Sequence, residues 1–364
     1  MTPTILLVGG RTPVALDLAR QLGRARARVV VADVFRHTLC AESRFVWRAQ
    51  RIPSPRLEPD RWLAALCGLI RAEGVDLVVP TGEDVFWVAR DRGALGVPAT
   101  TGAYDVLVGL HDKVTFAARI RGLDRPGIRA PGTWPAEVAA ERAREQDVVL
   151  KPRSSRFGNG VFVVRRGERP PEVDVGRYLV QERVIGREVS SLSWIRHGVA
   201  VGHVVYEPLV RFPTGPAVCA RPVFDPATRE RLRAVAESLG TDGAVGLDAI
   251  VEADGTVVPI ECNPRLTSGV HFLPDLGELV LGAEPTSVTA ADRPRMIALA
   301  TVMLGWRRPS AWRSIANARD VVWDADDPWP FFAQPATMWE LGTVRRRTGV
   351  TIREAASELT RFDG

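Results

Sequence analysis

Lysine is nearly absent from this 364-residue chain. Of its 48 basic side chains only two, Lys113 and Lys151, are lysines, and the rest are arginines. A chain with this bias writes arginine wherever any surface cation will serve, so the two lysines call for a reason. Cysteine is scarce too. Cys40, Cys67, Cys219 and Cys262 form no C-x-x-C pair and no cluster with the five histidines. This argues against a zinc site or a disulfide frame and fits a reducing compartment. No apolar run approaches the roughly 20 residues that span a bilayer. MTPTILLVGG lacks the basic, apolar and small-residue order of a signal peptide. The expected location is the cytoplasm, with no membrane partner. The net charge is +5, but the arginines are scattered beside acids, as in ERARE and RERLRAVAE. The short runs Arg307-Arg308 and Arg345–Arg347 match no known nucleic-acid module with stacking aromatics, so no nucleic-acid partner is expected.

What the chain does have is alternation. TILLVGG is an apolar strand ending in glycines. PVALDLARQLGRA has apolar residues at helical spacing. ARVVVADV is a second strand, DRWLAALCGLIRAEG a second helix stopped at Gly74, and VDLVVPTGED a third strand. This βαβαβ order predicts a doubly wound parallel sheet. The turn Gly9-Gly10-Arg11-Thr12-Pro13-Val14-Ala15 invites a dinucleotide reading, with Asp33 about 20 residues on. The middle and last glycines of G-x-G-x-x-G are missing, however, and Pro13 fits as a first-turn helix residue. No nicotinamide or flavin is expected.

From residue 111 the texture changes. HDKVTFAARI opens a helix with Asp112 in its first turn. A Pro/Gly-rich connector leads to DVVLKPR, a glycine-bearing loop, and GVFVVRRG, read as strand, turn, strand. Residues 177–210 read as antiparallel strands, and DPATRERLRAVAESLG as a helix. Residues 285–364 form a distinct tail with five of the ten tryptophans, expected to pack and not to cage a substrate. TIREAASELTRF closes it as a helix.

The strongest local signal is GLDAIVEADGTVVPIECNPR. Asp254-Gly255 between alternating runs predicts a hairpin with a two-residue turn. Pairing outward from it sets Asp248 opposite Glu261, with Asn263 on the same face. Facing carboxylates repel unless a cation lies between them. Two carboxylates and an amide oxygen make a hard donor set suited to Mg²⁺, which takes few protein ligands. Cys262 points to the other face and reads as core. Upstream, Lys151 ends a strand before a loop with Gly158 and Gly160, where backbone N–H groups can wrap phosphate oxygens. Arg153 and Arg156 add charge. In LVQERVIGREV, an extended segment offers backbone groups to an adenine edge, and Glu188 a carboxylate to two ribose hydroxyls.

Taken in order, HDK, VLKP with its glycine loop, VQERVIGRE and the Asp with ECNPR resemble the ATP-grasp superfamily, which includes carboxylate–amine ligases, biotin carboxylase and the large subunit of carbamoyl-phosphate synthase. The resemblance covers about residues 1–282. It implies a mixed α/β and α+β fold: a Rossmann-like pre-ATP-grasp domain (1–110), a two-lobed ATP-grasp domain (111–284, lobes 111–180 and 181–284) and a C-terminal extension (285–364). It implies ATP and Mg²⁺, with Mn²⁺ as a substitute. Lys113 and Lys151 would contact the phosphates. The loop with Arg153, Ser154, Gly158 and Gly160 would cover them. Gln181 and the backbone of Glu182 and Val184 would hold adenine, and Glu188 the ribose. Asp248, Glu261 and Asn263 would hold the metal. Arg265 would reach the transferred phosphoryl group or the acyl phosphate. The lysines are thus explained: a compact ammonium on a flexible stem is not replaced by a planar fork in a crowded phosphate site.

One departure stands out. Gly246 sits where some relatives place a catalytic arginine, and Arg265 or Arg221 would have to serve. The implied activity is an ADP-forming ligase joining a small-molecule carboxylate to an amine through an acyl phosphate. A thiol acceptor, phosphorylation without ligation, or a nucleotide-binding regulator are the alternatives. Glu83, in PTGED, is a candidate for binding an ammonium. Ser268 and His271 would line the acceptor pocket, although His271 also reads as a structural histidine. Many superfamily members are homodimers, and no interface is legible in this sequence.

Overall fold

A computed structural model describes residues 2–154, 160–211, 217–284, 291–305 and 316–362. The chain opens with β1 (Thr4–Val8), α1 (Pro13–Arg24), β2 (Arg28–Asp33), β3 (Val46–Arg51), α2 (Pro59–Glu73), β4 (Leu77–Pro80) and α3 (Asp84–Asp91). Its four strands form a parallel sheet in the order β3-β2-β1-β4. Every residue of β1 is buried, as a strand covered on both faces requires. Thr12 caps α1 by accepting the Ala15 N–H, and Pro13 takes the first helical position, where its missing N–H costs nothing. The sequence reading lacked β3. VWRAQR is an edge strand with mostly exposed side chains, so it carries no apolar signature.

Next come α4 (Tyr104–His111) and α5 (Lys113–Arg121). Asp112 is the N-cap of α5, accepting the Thr115 N–H, and so lies just outside the first turn. A small antiparallel sheet follows, in the order β5-β8-β6-β7. Its members are β5 (Thr133–Pro135), β6 (Val148–Pro152), β7 (Phe162–Val164) and β8 (Tyr178–Glu182), with α6 (Ala139–Glu145) packed behind. The large sheet contains β9 (Arg187–Arg196), β10 (Val199–Arg211), β11 (Ala217–Pro222), β12 (Gly243–Val251) and β13 (Val257–Asn263). One face of it is covered by α5 and α7 (Pro226–Ser238) around Val189, Leu232, Leu247 and Cys262. The other face packs on α1 through the segment 268–280, giving one core from Ile5 and Leu18 to Leu192, Trp194 and Phe272.

The C-terminal part is not a separate body. Its strand Arg295–Met296 extends the large sheet beside β11, and its last helix, Ile352–Glu358, returns to the parallel sheet. That helix opens with a capping box between Thr351 and Glu354. Trp323, Trp329 and Trp339 are 43%, 66% and 70% exposed, contrary to the expectation that the tail tryptophans pack, while Trp306 and Trp312 lie outside the described residues. Two of them meet phenylalanine rings edge-on, Trp323 against Phe331, which packs on the core, and Trp329 against the exposed Phe332. Among the described residues no helix is long and apolar enough to cross a membrane.

Candidate active site

The hairpin β12–β13 sets the site, and its register is subtler than the sequence suggests. Val251 pairs with Val257, one residue out of step with a two-residue turn, and the turn is a longer one closed by Glu252 and Thr256. A bulge at Ile260 absorbs the difference, so Asp248 still faces Glu261 and Gly246 faces Asn263. A bulged residue leaves its backbone unpaired in the ladder. Here the Ile260 carbonyl accepts the Lys151 ammonium at 3.3 Å.

Lys151 is 5% exposed. On β6 it lies diagonally across from Gln181 of β8, and its Nζ donates to Gln181 Oε1 at 2.8 Å. Burial first, then repulsion from Lys113, pulls this ammonium down to about 7, against the attraction of Glu261 and Asp248. Lys113, 2% exposed, reaches Glu261 Oε1 at 3.3 Å. Its backbone N–H bonds the Arg153 carbonyl, which ties the head of α5 to the end of β6. Both lysines therefore converge on the hairpin carboxylates.

Asp248 is pushed up to about 6, by burial and then by Glu261. Ser190, opposite it on β9, donates to its Oδ1 at 2.6 Å. Asn263 donates its amide to Asp248 Oδ2 and accepts from Arg265 Nη2, each at 3.1 Å. Ser190 was missed from the sequence, although it sits two residues after Glu188 and so on the same face of the strand. Among the described residues, no three of His, Cys, Asp and Glu form a metal-ligating group. The donor set is thus two repelling carboxylates and an amide, and turning the Asn263 amide by half a turn presents its oxygen. Such a set fits a hard cation that takes its other ligands from phosphate and water.

The residues expected to face the nucleotide are held by partners within the chain. The Glu182 carbonyl accepts the Val184 N–H at 3.2 Å. The Glu182 carboxylate is occupied by Arg129 and the Gly132 N–H. Arg129 also grips Glu252 at the hairpin turn, clamping the two sheets together. Gln181 is 2% exposed, and its side-chain oxygen serves Lys151, so its first task is to aim the lysine. Glu188 pairs with Arg211. Arg153 bonds Asp112 at 2.8 Å, which with the Thr115 N–H holds that carboxylate low despite its burial. Ser154 is exposed beside it. Gly160 has φ +70°, and a Cβ there would meet the Tyr178 hydroxyl at 2.5 Å. Gly158 and Arg156 lie outside the described residues.

Four sequence candidates lie away from the hairpin carboxylates. Arg221 pairs with Glu207, next to Tyr206, and strand alternation puts it on the face opposite Asp248. It cannot replace the missing arginine. His271 donates to or accepts from Asp17 of α1 at 2.7 Å and is 8% exposed. It docks α1 onto the large sheet, the structural reading of this histidine. Ser268 is half-buried at the start of the same segment. Glu83 is buried, and its Oε2 accepts the Phe362 N–H at 3.4 Å.

The absent arginine has a steric cause. A Cβ on Gly246 would lie 2.5 Å from Thr267 Cγ2. Gly246→Ala should therefore destabilise the protein by about 1–3 kcal/mol. Adding Thr267→Ser, which removes that methyl, should recover most of the loss in a denaturant-unfolding double-mutant cycle. Equal losses in the single and double variants would refute the clash.

Residues 110–269 match the family described as the ATP-grasp domain. This segment of the chain is an ATP-grasp domain. Solved structures extend the likeness beyond it. An ADP complex of N5-carboxyaminoimidazole ribonucleotide synthetase superposes with TM-score 0.62 at 17% identity, over 83% of this chain and 85% of that one. The biotin carboxylase domain dimer of Hydrogenobacter thermophilus 2-oxoglutarate carboxylase, with MgADP, ADP and bicarbonate, gives 0.59 at 15%, over 80% and 72%. Rhizobium etli pyruvate carboxylase gives 0.56 at 19%, over 78% of this chain but 28% of that far longer one. At these identities the likeness is one of fold. No curated protein matches the sequence significantly. The ATP-grasp architecture, with an N-terminal parallel sheet and a C-terminal extension, is thus the fold of this chain.

Proposed function

We propose that this ATP-grasp protein is a carboxylate–amine ligase that forms an amide through an acyl phosphate and releases ADP and phosphate. One observation carries the reading: the two lysines of the chain, both buried, meet at the hairpin of Asp248 and Glu261, Lys113 on the Glu261 carboxylate and Lys151 on the Ile260 carbonyl beside it, within the field of both carboxylates. Asp248, Glu261 and a turned Asn263 would hold Mg²⁺, or Mn²⁺ in its place, which supplies charge neutralisation for phosphate oxygens.

The residues of the chain divide the remaining work. Lys113 and Lys151 hold phosphate oxygens, with Gly160 letting the backbone approach them. The Glu182 carbonyl and Val184 N–H exchange their mutual bond for the adenine edge, and Glu188 exchanges Arg211 for the ribose. A substrate carboxylate oxygen attacks the γ-phosphorus, the bond to the bridging oxygen breaks, and ADP leaves. Arg265 faces the transferred group. The amine nitrogen then attacks the acyl carbon, loses a proton, and phosphate departs. Catalysis here is positioning and electrostatics, in a site kept dry against hydrolysis of the acyl phosphate.

The test is ³¹P NMR of MgATP with pools of amines and carboxylates. ADP and phosphate that appear only when both pools are present support the reading. AMP and pyrophosphate would mean adenylation and overturn it. Asp248→Asn should lower kcat/KM by about 100-fold or more.

A further inference from the structure

The parallel sheet has its topological switch point between β1 and β4, since the chain runs from β1 to β2 on one side and β4 lies on the other. Doubly wound sheets bind ligands in the crevice outside the carboxyl ends of the strands at this point. Here the crevice is filled by the chain's own C-terminal segment. Arg11, in the turn after β1, donates to the Ala356 carbonyl at 2.6 Å and the Thr360 hydroxyl at 2.7 Å. Asp33, at the end of β2, steadies the same guanidinium at 2.7 Å. Trp87 donates its indole N–H to the Thr360 carbonyl at 2.8 Å.

The segment ends by inserting a ring. Phe362 is 6% exposed. It stacks on Phe86 with centroids 4.8 Å apart and meets Trp87 and Tyr104 edge-on at 5.8 and 5.9 Å. Its backbone N–H points to the Glu83 carboxylate. Phe362 therefore presents an aromatic ring two carbons from a nitrogen, with the nitrogen on a carboxylate and the ring in an aromatic pocket. The pocket is also close to the chemistry. Val85 and Leu107 pack with Phe362, and the same two residues line the narrow cleft that contains Arg265.

We infer that this pocket is the amine subsite, that its ligand class is the arylethylamines, aromatic α-amino acids included, and that Phe362 is a built-in occupant which such a ligand displaces. Glu83 would bind the free ammonium more strongly than it binds the neutral amide N–H of Phe362, because a carboxylate attracts a full positive charge more than the partial charge of an amide N–H. The inference rests on the ligase reading for the fate of the amine, but its binding chemistry stands apart from turnover.

The experiment is calorimetric titration of full-length Phe362→Ala with phenethylamine, phenylalanine, toluene and alanine. Phenethylamine or phenylalanine should bind saturably, about tenfold or more tighter than toluene, and alanine should not bind. Glu83→Gln in the same background should remove that preference. Equal binding of toluene and phenethylamine would show only a packing cavity and overturn the inference, as would no binding at all. MgATP affinity measured on the same variant separates the two proposals: amine binding without MgATP binding would sink the ligase reading and leave the pocket standing. Should Phe362→Ala fail to fold, amide hydrogen exchange on the unmodified protein decides. Faster exchange at 356–362 with phenethylamine supports displacement, and unchanged exchange overturns it.

Discussion

Lys151→Met is expected to lower catalysis steeply and raise the melting temperature at once. The ammonium of Lys151 is buried and held near 7, whereas in the unfolded chain it returns to the ordinary lysine range. Between those values the unfolded state binds more protons, so stability rises with pH. The cost of burying the charge is therefore fully present below about pH 7 and fades as the pH climbs toward the ordinary lysine value. Methionine removes that cost but leaves Gln181 Oε1 and the Ile260 carbonyl without their donor, a penalty of about 1–3 kcal/mol. The net gain should be roughly 2 kcal/mol at pH 6 and should shrink or reverse by pH 9. Catalysis should fall by about 100- to 1,000-fold in kcat/KM, the scale of one lost charge-stabilising group. Lys151→Arg should not rescue it, because the fork does not fit between Gln181 and the bulge. A linked signature follows. Phosphate oxygens favour the charged amine, so MgATP binding at pH 8 should take up about one proton in the wild type and none in Lys151→Met. Calorimetry in buffers of different ionisation enthalpy reads this directly. A variant with unchanged melting temperature and full turnover would remove Lys151 from the site.

Arg20→Ala carries the second large effect, and it acts on the fold. Arg20 is 3% exposed on α1, and all three nitrogens of its guanidinium donate. It donates to Asp327 Oδ2 and the Asp327 carbonyl at 2.9 Å, to the Val322 carbonyl at 2.9 Å and to the Val321 carbonyl at 3.2 Å. Asp327 has no exposed surface and also accepts from Ser43 and the Arg44 N–H. Removing the arginine takes the cation from a buried carboxylate and a donor from each of three carbonyls. Breaking a buried pair in this way costs about 3–5 kcal/mol. Denaturant unfolding should show that loss, and hydrogen exchange should localise the opening to 319–328. A loss below 1 kcal/mol would mean that the C-terminal extension is held elsewhere, chiefly by Arg11 and the pocket of Phe362.

The sequence reading was strongest where the chemistry is local. β1, α1, β2, α2 and β4 follow from apolar runs, Pro13 and Gly74. The pairing of Asp248 with Glu261 follows from a turn signal and a period of two, yet it holds because a longer turn and a bulge at Ile260 offset each other. Neither is visible in ADGTVVPIE, since a bulge depends on what the freed carbonyl meets, and that is Lys151 from another sheet. β3 was lost because an edge strand needs no apolar face.

By itself, then, the sequence determined the alternating fold, the hairpin carboxylates and the places of the two lysines, all features written by neighbours in the chain or by residue choice. Only the tertiary structure decided the rest. It turned His271 to Asp17, put Arg221 on the far face, filled the space of the missing arginine with Thr267 and set Phe362 against Glu83. Each of these joins residues from distant parts of the chain, and long-range contacts are fixed by packing, not by local pattern.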